Sequence, residues 1–285
     1  MSNNPSDALV STEWLAANLS NPSIRIFDTT SFLPNVLRDA EAEYEECHIP
    51  GAVRFSVDDI ADKTSGLPHM LLGSAAFAEA AGNLGVNNDT KVIAYDANGG
   101  TSASARAWWN FRVFGHDNIA ILEGGLPKWL AEERATEGGV VTPLKVFFKA
   151  TFRPELVRSR QDLIANVESK ASQVVDARTV SRFKGQEPEP RPSKKVGHIP
   201  GSMCVPVGSL VDPEAGMALR SPDEIAKRFI DAGVNLDGPI ITTCGSGVTA
   251  AFLALGLYTA GRTDVAVYDG SWAEWGNADD TPVEI

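Results

Sequence analysis

Pro239-Ile-Ile-Thr-Thr-Cys244-Gly-Ser-Gly-Val-Thr-Ala-Ala-Phe-Leu-Ala-Leu255 joins a short β-branched run, a cysteine, a loop with two glycines and an apolar run long enough for a helix. The order predicts a strand, a tight loop and a helix N-terminus. Gly245 and Gly247 let the backbone between Cys244 and Thr249 curl so that successive N–H groups face inward, joined by the unpaired N–H groups of the helix that follows. A cradle of partial positive charge favours a thiolate, the nucleophilic form of cysteine, and suits an anionic second sulfur carried on the first. The same placement is open to a buried, inert cysteine at a strand end.

Outward from this stretch, the first half of the chain carries the same signals in the same order. Val92-Ile-Ala-Tyr-Asp96-Ala-Asn-Gly-Gly-Thr101 answers Ile240 to Thr249, and Ile26-Phe-Asp28 answers Gln173-Val-Val-Asp176. His48-Ile-Pro-Gly51 answers His198-Ile-Pro-Gly201, and Gly124 to Trp129 answers Asp269-Gly-Ser-Trp-Ala-Glu-Trp275 with one residue inserted. Such self-similarity marks a tandem duplication. Each copy alternates short apolar strands with helical segments, the pattern of βαβ units. The fold class is therefore α/β, two tandem domains, each an open parallel sheet with helices on both faces. The N-terminal domain is expected over about residues 1–145 and the C-terminal domain over about 155–285. Between them lies a linker of about 136–154, where Thr136-Glu-Gly-Gly-Val-Val-Thr-Pro143 loses periodicity.

In open α/β sheets the loops at the carboxyl ends of the strands hold ligands. Cys244 takes that position in the second copy and Asp96 in the first. Asp96 has no thiol chemistry and reads as a loop cap, so the N-terminal domain lacks the catalytic cysteine.

The 285 residues hold 37 acidic against 25 basic side chains, a net charge of −12, and 43% are hydrophobic. That content supports two ordinary cores, and the charge argues against nucleic-acid and membrane-surface binding. No stretch reaches the roughly 20 apolar residues that span a bilayer. The N-terminal sequence has neither a signal-peptide core nor an Arg-rich transit character, so a cytoplasmic protein is expected. Cys47, Cys204 and Cys244 are widely spaced, unlike a disulfide framework or a zinc site. No glycine-rich dinucleotide fingerprint and no ligand-spaced His/Cys cluster is present, so neither cofactor nor metal is expected.

These residues resemble the rhodanese-like sulfurtransferases, and more closely their 3-mercaptopyruvate sulfurtransferase branch. The resemblance covers nearly the whole chain: both His-Ile-Pro-Gly segments, Ala107-Trp-Trp109, Val175-Asp-Ala-Arg178, Glu187-Pro-Glu-Pro-Arg191, Cys244-Gly-Ser-Gly-Val-Thr249 and Tyr268-Asp-Gly-Ser-Trp272. It implies a persulfide on Cys244 and transfer of sulfane sulfur from a small-molecule donor to a thiol, such as thioredoxin, or to cyanide. It also implies that Arg182 and Arg191 bind substrate, within a site built from Gly245, Gly247, Val248 and Thr249. Planar guanidinium groups suit a carboxylate donor; alternatively, both arginines are loop residues paired with Glu187 and Glu189. Ser246 is the second catalytic candidate, bonding the departing group or relaying a proton, or else a hydroxyl that stabilises the loop.

Thiosulfate-using relatives usually carry basic residues after the cysteine. Here Gly245 and Ser246 are neutral, which favours 3-mercaptopyruvate and keeps thiosulfate as the alternative donor. A related phosphatase group would need an arginine at position 250, where this chain has Ala250. A non-catalytic interaction module would be expected to lose the cysteine, as the first copy has and the second has not. His48 and His198 recur in both copies and read as turn-fixing residues. A relay through His48 and Asp39 has a family precedent, and His69 carries no assignment.

Overall fold

Strands covered on both faces are buried along nearly their whole length, as Lys91–Tyr95 and Ile240–Thr243 are, and each of these lies at the centre of a five-stranded parallel sheet. The computed structural model describes residues 5–99 and 102–285. Two units are resolved. The first takes the chain as far as Asp62, with Leu71–Arg153 and Asp212–Leu219; the second is Lys63–Met70, Pro154–Val211 and Arg220–Ile285.

In chain order the first unit contains β1 (Leu9–Val10), α1 (Thr12–Asn18), β2 (Ile24–Asp28), α2 (Ala40–Glu46), β3 (Ala52–Arg54), α3 (Ser74–Asn83), β4 (Lys91–Tyr95), α4 (Ala103–Val113), β5 (Ile119–Leu122) and α5 (Gly125–Ala131). Its strand order is β1-β5-β4-β2-β3. Side chains alternate across the sheet. Ile26, Ile93, Tyr95 and Leu122 pack with Leu15 of α1 and Trp129 of α5. Phe27 turns to the opposite face, where its ring lies 6.0 Å from that of Phe111 in α4. Ser11 caps α1, its Oγ accepting from Trp14 N at 3.1 Å.

The second half adds β6 (Val157–Arg158), α6 (Arg160–Ser169), β7 (Gln173–Asp176), α7 (Val180–Phe183), β8 (Met203–Cys204), a short ribbon of β9 (Val211–Asp212) and β10 (Ala218–Leu219), α8 (Pro222–Asp231), β11 (Ile240–Thr243), α9 (Val248–Thr259), β12 (Ala266–Tyr268) and α10 (Ser271–Trp275). The sheet runs β6-β12-β11-β7-β8, the same order as the first. Ile241, Ala266 and Tyr268 pack with Leu163 of α6 and with Trp272 and Trp275 of α10. A close approach sets α9: a methyl on Gly256 would stand 3.1 Å from Leu210 Cδ1 and 3.5 Å from Ile225 Cγ2 of α8.

The duplication extends to single hydrogen bonds. Thr29 N donates to Tyr95 O at 2.8 Å, and Ala177 N to Thr243 O at 2.9 Å. Leu126 N donates to Asp96 O at 3.1 Å, and Trp272 N to Cys244 O at 2.9 Å. These last two bonds pair Leu126 with Trp272, so Gly124-Gly125 matches Gly270-Ser271 and no residue is inserted. The extra residue suggested by sequence is Asp269, whose counterpart is Glu123.

The two histidines of the repeated motif fix turns. His48 is wholly buried, with Nδ1 at 2.7 Å from Tyr44 O, and His198 places Nδ1 at 2.9 Å from Phe183 O. Each also forms a two-residue antiparallel bridge with a distant glutamate, His48 with Glu137 and His198 with Glu284. Those glutamates accept from Gly51 N at 2.8 Å and Gly201 N at 2.9 Å. Asp39 is the N-cap of α2, accepting from Glu41 N and Ala42 N. No bond between His48 and Asp39 accompanies these contacts, and both residues act on their own turns.

Candidate active site

Cys244 follows the last residue of β11 and is 2% exposed. The backbone around it is held from the side of α10: Cys244 O accepts from Trp272 N at 2.9 Å, and Gly245 O accepts from Ala273 N at 2.8 Å. Cys244 N donates to Ser271 Oγ at 3.2 Å. Gly247 then turns into the left-handed region, at φ 77°, as the N-cap of α9. Glycine takes that conformation without steric cost. Val248 and Thr249 occupy the first turn of α9, where N–H groups have no carbonyl partner within the helix.

Ser246, 7% exposed, has its Oγ at 3.1 Å from Nδ1 of His69. The same ring nitrogen is 3.4 Å from Ser246 O, and Nε2 of His69 is 3.5 Å from Nη2 of Arg191. His69 is itself buried, in the left-handed conformation at φ 61°. The sequence left this residue without a role; its only signal was a His within a Pro-His-Met segment of 64–70.

Arg182 lies against the cysteine loop, its Nη2 at 2.9 Å from the point a methyl on Gly245 would occupy. Glu189 holds it there, accepting from Nε at 3.1 Å and from Nη2. The other oxygen of Glu189 accepts from Nη1 of Arg178 at 2.7 Å. Arg178 is buried, bonded to Asp176 at 2.7 Å and to Gly197 O at 2.8 Å, and its guanidinium carbon sits 4.3 Å from the centre of the Trp272 ring. Burial alone would lower its pKa, but the charges of Asp176 and Glu189 outweigh that and raise it. Glu189 therefore joins a structural arginine to a candidate substrate arginine. Pairing with the Glu-Pro-Glu-Pro run and placement at the cysteine loop hold together for Arg182. Glu187 instead accepts from Ser181 Oγ at 2.5 Å.

Cys244, Gly245, Ser246, Gly247, Val248, Thr249 and Arg182 thus share one loop and its border, and Arg191 joins them through His69. In the first unit Asp96, at the counterpart position, bonds to residues on its own side of the strand end. Asp96 Oδ1 accepts from Asn98 N at 2.8 Å and Oδ2 from Ser104 Oγ at 3.0 Å. The remaining cysteines are elsewhere. Cys204 donates weakly to Arg178 O at 3.5 Å, and burial, with Asp176 adding to it, pushes its thiol up to about 12. Cys47 caps the C-terminus of α2.

No three His, Cys, Asp or Glu side chains among the described residues group as metal ligands, and no helix among them is long and apolar enough to cross a membrane.

Comparison with known proteins agrees with this architecture. A 3-mercaptopyruvate sulfurtransferase of Homo sapiens is 44% identical over 273 residues, spanning 94% of this chain and 91% of the human protein. The Arabidopsis thaliana protein named thiosulfate/3-mercaptopyruvate sulfurtransferase 1, mitochondrial, is 40% identical over 302 residues, spanning 98% of this chain and 78% of that protein. Among solved structures, SseA from Escherichia coli, described as a 3-mercaptopyruvate sulfotransferase with the rhodanese fold, superposes with a TM-score of 0.84 at 39% identity, covering 93% of this chain and 98% of SseA. The rhodanese-like domain matches twice, at residues 11–132 and 159–278. With both copies matched, this chain belongs to the rhodanese-like domain family.

Proposed function

We propose that this chain is a sulfurtransferase that takes sulfur from 3-mercaptopyruvate, carries it as a persulfide on Cys244 and delivers it to a thiol or cyanide acceptor. The observation that carries this reading is the loop itself: a cysteine between β11 and α9, bordered by a guanidinium at Gly245 and a histidine at Ser246.

The chemistry has two halves. The Cys244 thiolate attacks the sulfur of 3-mercaptopyruvate, an S–S bond forms and the C–S bond breaks, its electron pair leaving with carbon as pyruvate enolate. Protonation of the enolate carbon gives pyruvate. The outer sulfur keeps the donor's own proton or loses it to solvent, and the loop N–H groups suit the anionic form. An acceptor thiolate then attacks the outer sulfur and Cys244 leaves as thiolate, closing a ping-pong cycle.

Arg182 and Arg191 supply planar, permanently charged donors for the carboxylate and keto oxygens. In the tautomer that carries its ring proton on Nδ1, His69 donates to Ser246 while its Nε2 can accept from Arg191. Ser246 Oγ, accepting from His69, is left with its own proton to donate to the departing enolate oxygen. That donation stabilises negative charge as it develops. The three free thiols suit a reducing compartment such as the cytosol.

The test is steady-state turnover with 3-mercaptopyruvate and with thiosulfate, cyanide as acceptor. The expected result is a strong kcat/KM preference for 3-mercaptopyruvate. A preference for thiosulfate would overturn the choice of donor, whose physical basis is that Gly245 and Ser246 carry no charge of their own.

A further inference from the structure

The two copies solve one problem in different ways. In both, the carbonyl of the residue after the central strand accepts a backbone N–H from the following short helix, Asp96 O from Leu126 N and Cys244 O from Trp272 N. In both, the residue before that donor is left-handed, Gly125 at φ 55° and Ser271 at φ 47°. Glycine is at ease there; a serine is strained. The catalytic copy thus carries a strained side chain where the other copy carries none, so the side chain has something to do.

Ser271 is fully buried, and its Oγ donates to Tyr268 O at 2.9 Å while accepting Cys244 N at 3.2 Å. Thr243 Oγ1 approaches the same oxygen at 3.4 Å. In the first copy the loop is held by the side chain of Asp96, through Asn98 N and Ser104. A cysteine that must keep its sulfur unbonded for chemistry cannot hold its own loop in that way. The holding group has to come from outside.

We propose that Ser271 is a positioning residue for the sulfur-transfer reaction: its hydroxyl fixes the Cys244 peptide so that the sulfur stays aimed into the loop. The inference rests on Cys244 being the nucleophile. Ser271 acts through the Cys244 backbone, not on substrate, so its loss should move kcat and thiol reactivity and leave KM alone.

The test compares Ser271→Gly, which removes the hydroxyl and the strain together and copies Gly125, with Ser271→Ala, which removes only the hydroxyl. Measured are kcat and KM for 3-mercaptopyruvate, the rate of Cys244 carbamidomethylation by iodoacetamide, and the urea midpoint. For Ser271→Gly the expectation is a urea midpoint near that of the parent, KM within about twofold, and kcat lower by about tenfold or more. Alkylation of Cys244 slows in parallel. Ser271→Ala shows the same catalytic loss with a lower urea midpoint. Parental kcat and alkylation in a folded Ser271→Gly protein would overturn the proposal, and so would its failure to fold, which would make Ser271 a structural residue. If the parent protein turns over no sulfur donor while Ser271→Gly still slows alkylation, positioning stands and the sulfurtransferase reading falls.

Discussion

Nδ1 of His69 and Oγ of Ser246 stand 3.1 Å apart although 177 positions separate them in the chain. The histidine comes from the short segment Lys63–Met70, which packs with the second unit. A residue from the first half of the sequence thereby reaches the cysteine loop encoded in the second. Substituting it tests whether Ser246 relays a proton or only braces the loop. His69→Asn, which tolerates the left-handed backbone, is expected to lower kcat with 3-mercaptopyruvate by about ten- to a hundredfold, the usual size of a lost acid–base contribution. Cys244 alkylation should be unchanged. Single-turnover pyruvate release checks this, and an unaltered kcat would leave Ser246 as a loop brace.

Arg182 and Arg191 should be intolerant of lysine. An ammonium cannot reproduce two parallel N–H bonds to a carboxylate. Arg182→Lys and Arg191→Lys are each expected to raise KM for 3-mercaptopyruvate about tenfold, equivalent to about 1.4 kcal/mol. Initial-rate kinetics give the answer. A KM that stays at the parental value in both variants would remove these residues from the substrate site.

Glu189 is expected to matter for stability as well as for the site. It accepts from Arg178 and Arg182 at once and its side chain is 8% exposed, so its loss takes the Nη1 acceptor from buried Arg178, which keeps Asp176 and Gly197 O, and frees Arg182. Removing one partner of a buried pair costs about 3–5 kcal/mol. Glu189→Gln keeps the shape and should lie near the lower end of that range in urea unfolding. A change under about 0.5 kcal/mol would mean that Asp176 alone satisfies Arg178.

The cysteines should separate by pH. Burial raises the Cys204 thiol to about 12, so the thiolate that alkylates is scarce until pH rises towards that value. At pH 8 roughly one part in ten thousand is ionised, by the definition of a pKa. Peptide mapping after iodoacetamide at pH 8 should find Cys204 essentially unlabelled, with labelling growing above pH 10. Rapid labelling of Cys204 at neutral pH would show that the thiol is not shielded as its packing indicates.

The sequence carried most of the fold, because a strand buried on both faces announces itself as an apolar run and the same run occurs twice. It also located Cys244 and its glycines, since a loop between a β-branched strand and an apolar helix has little freedom. The partners of that loop were harder to see. Ser271 lies in a quoted motif, but nothing local says that its hydroxyl meets the Cys244 amide. Glu137 and Glu284 bind the repeated histidine turns from far along the chain, and a glutamate in a polar stretch gives no sign of a distant backbone partner. His69 and Glu189 gain their roles only from tertiary approach. Local pattern reports the element a residue sits in; it does not report which element folds against it.

The most direct test is to mix the protein with one equivalent of 3-mercaptopyruvate without acceptor and to measure the mass of the Cys244 peptide. The expected result is one added sulfur atom on that peptide, formed with stoichiometric pyruvate, removed by cyanide or a thiol, and absent in Cys244→Ser. Pyruvate release with unmodified Cys244, or the added sulfur on Cys47 or Cys204 instead, would contradict it.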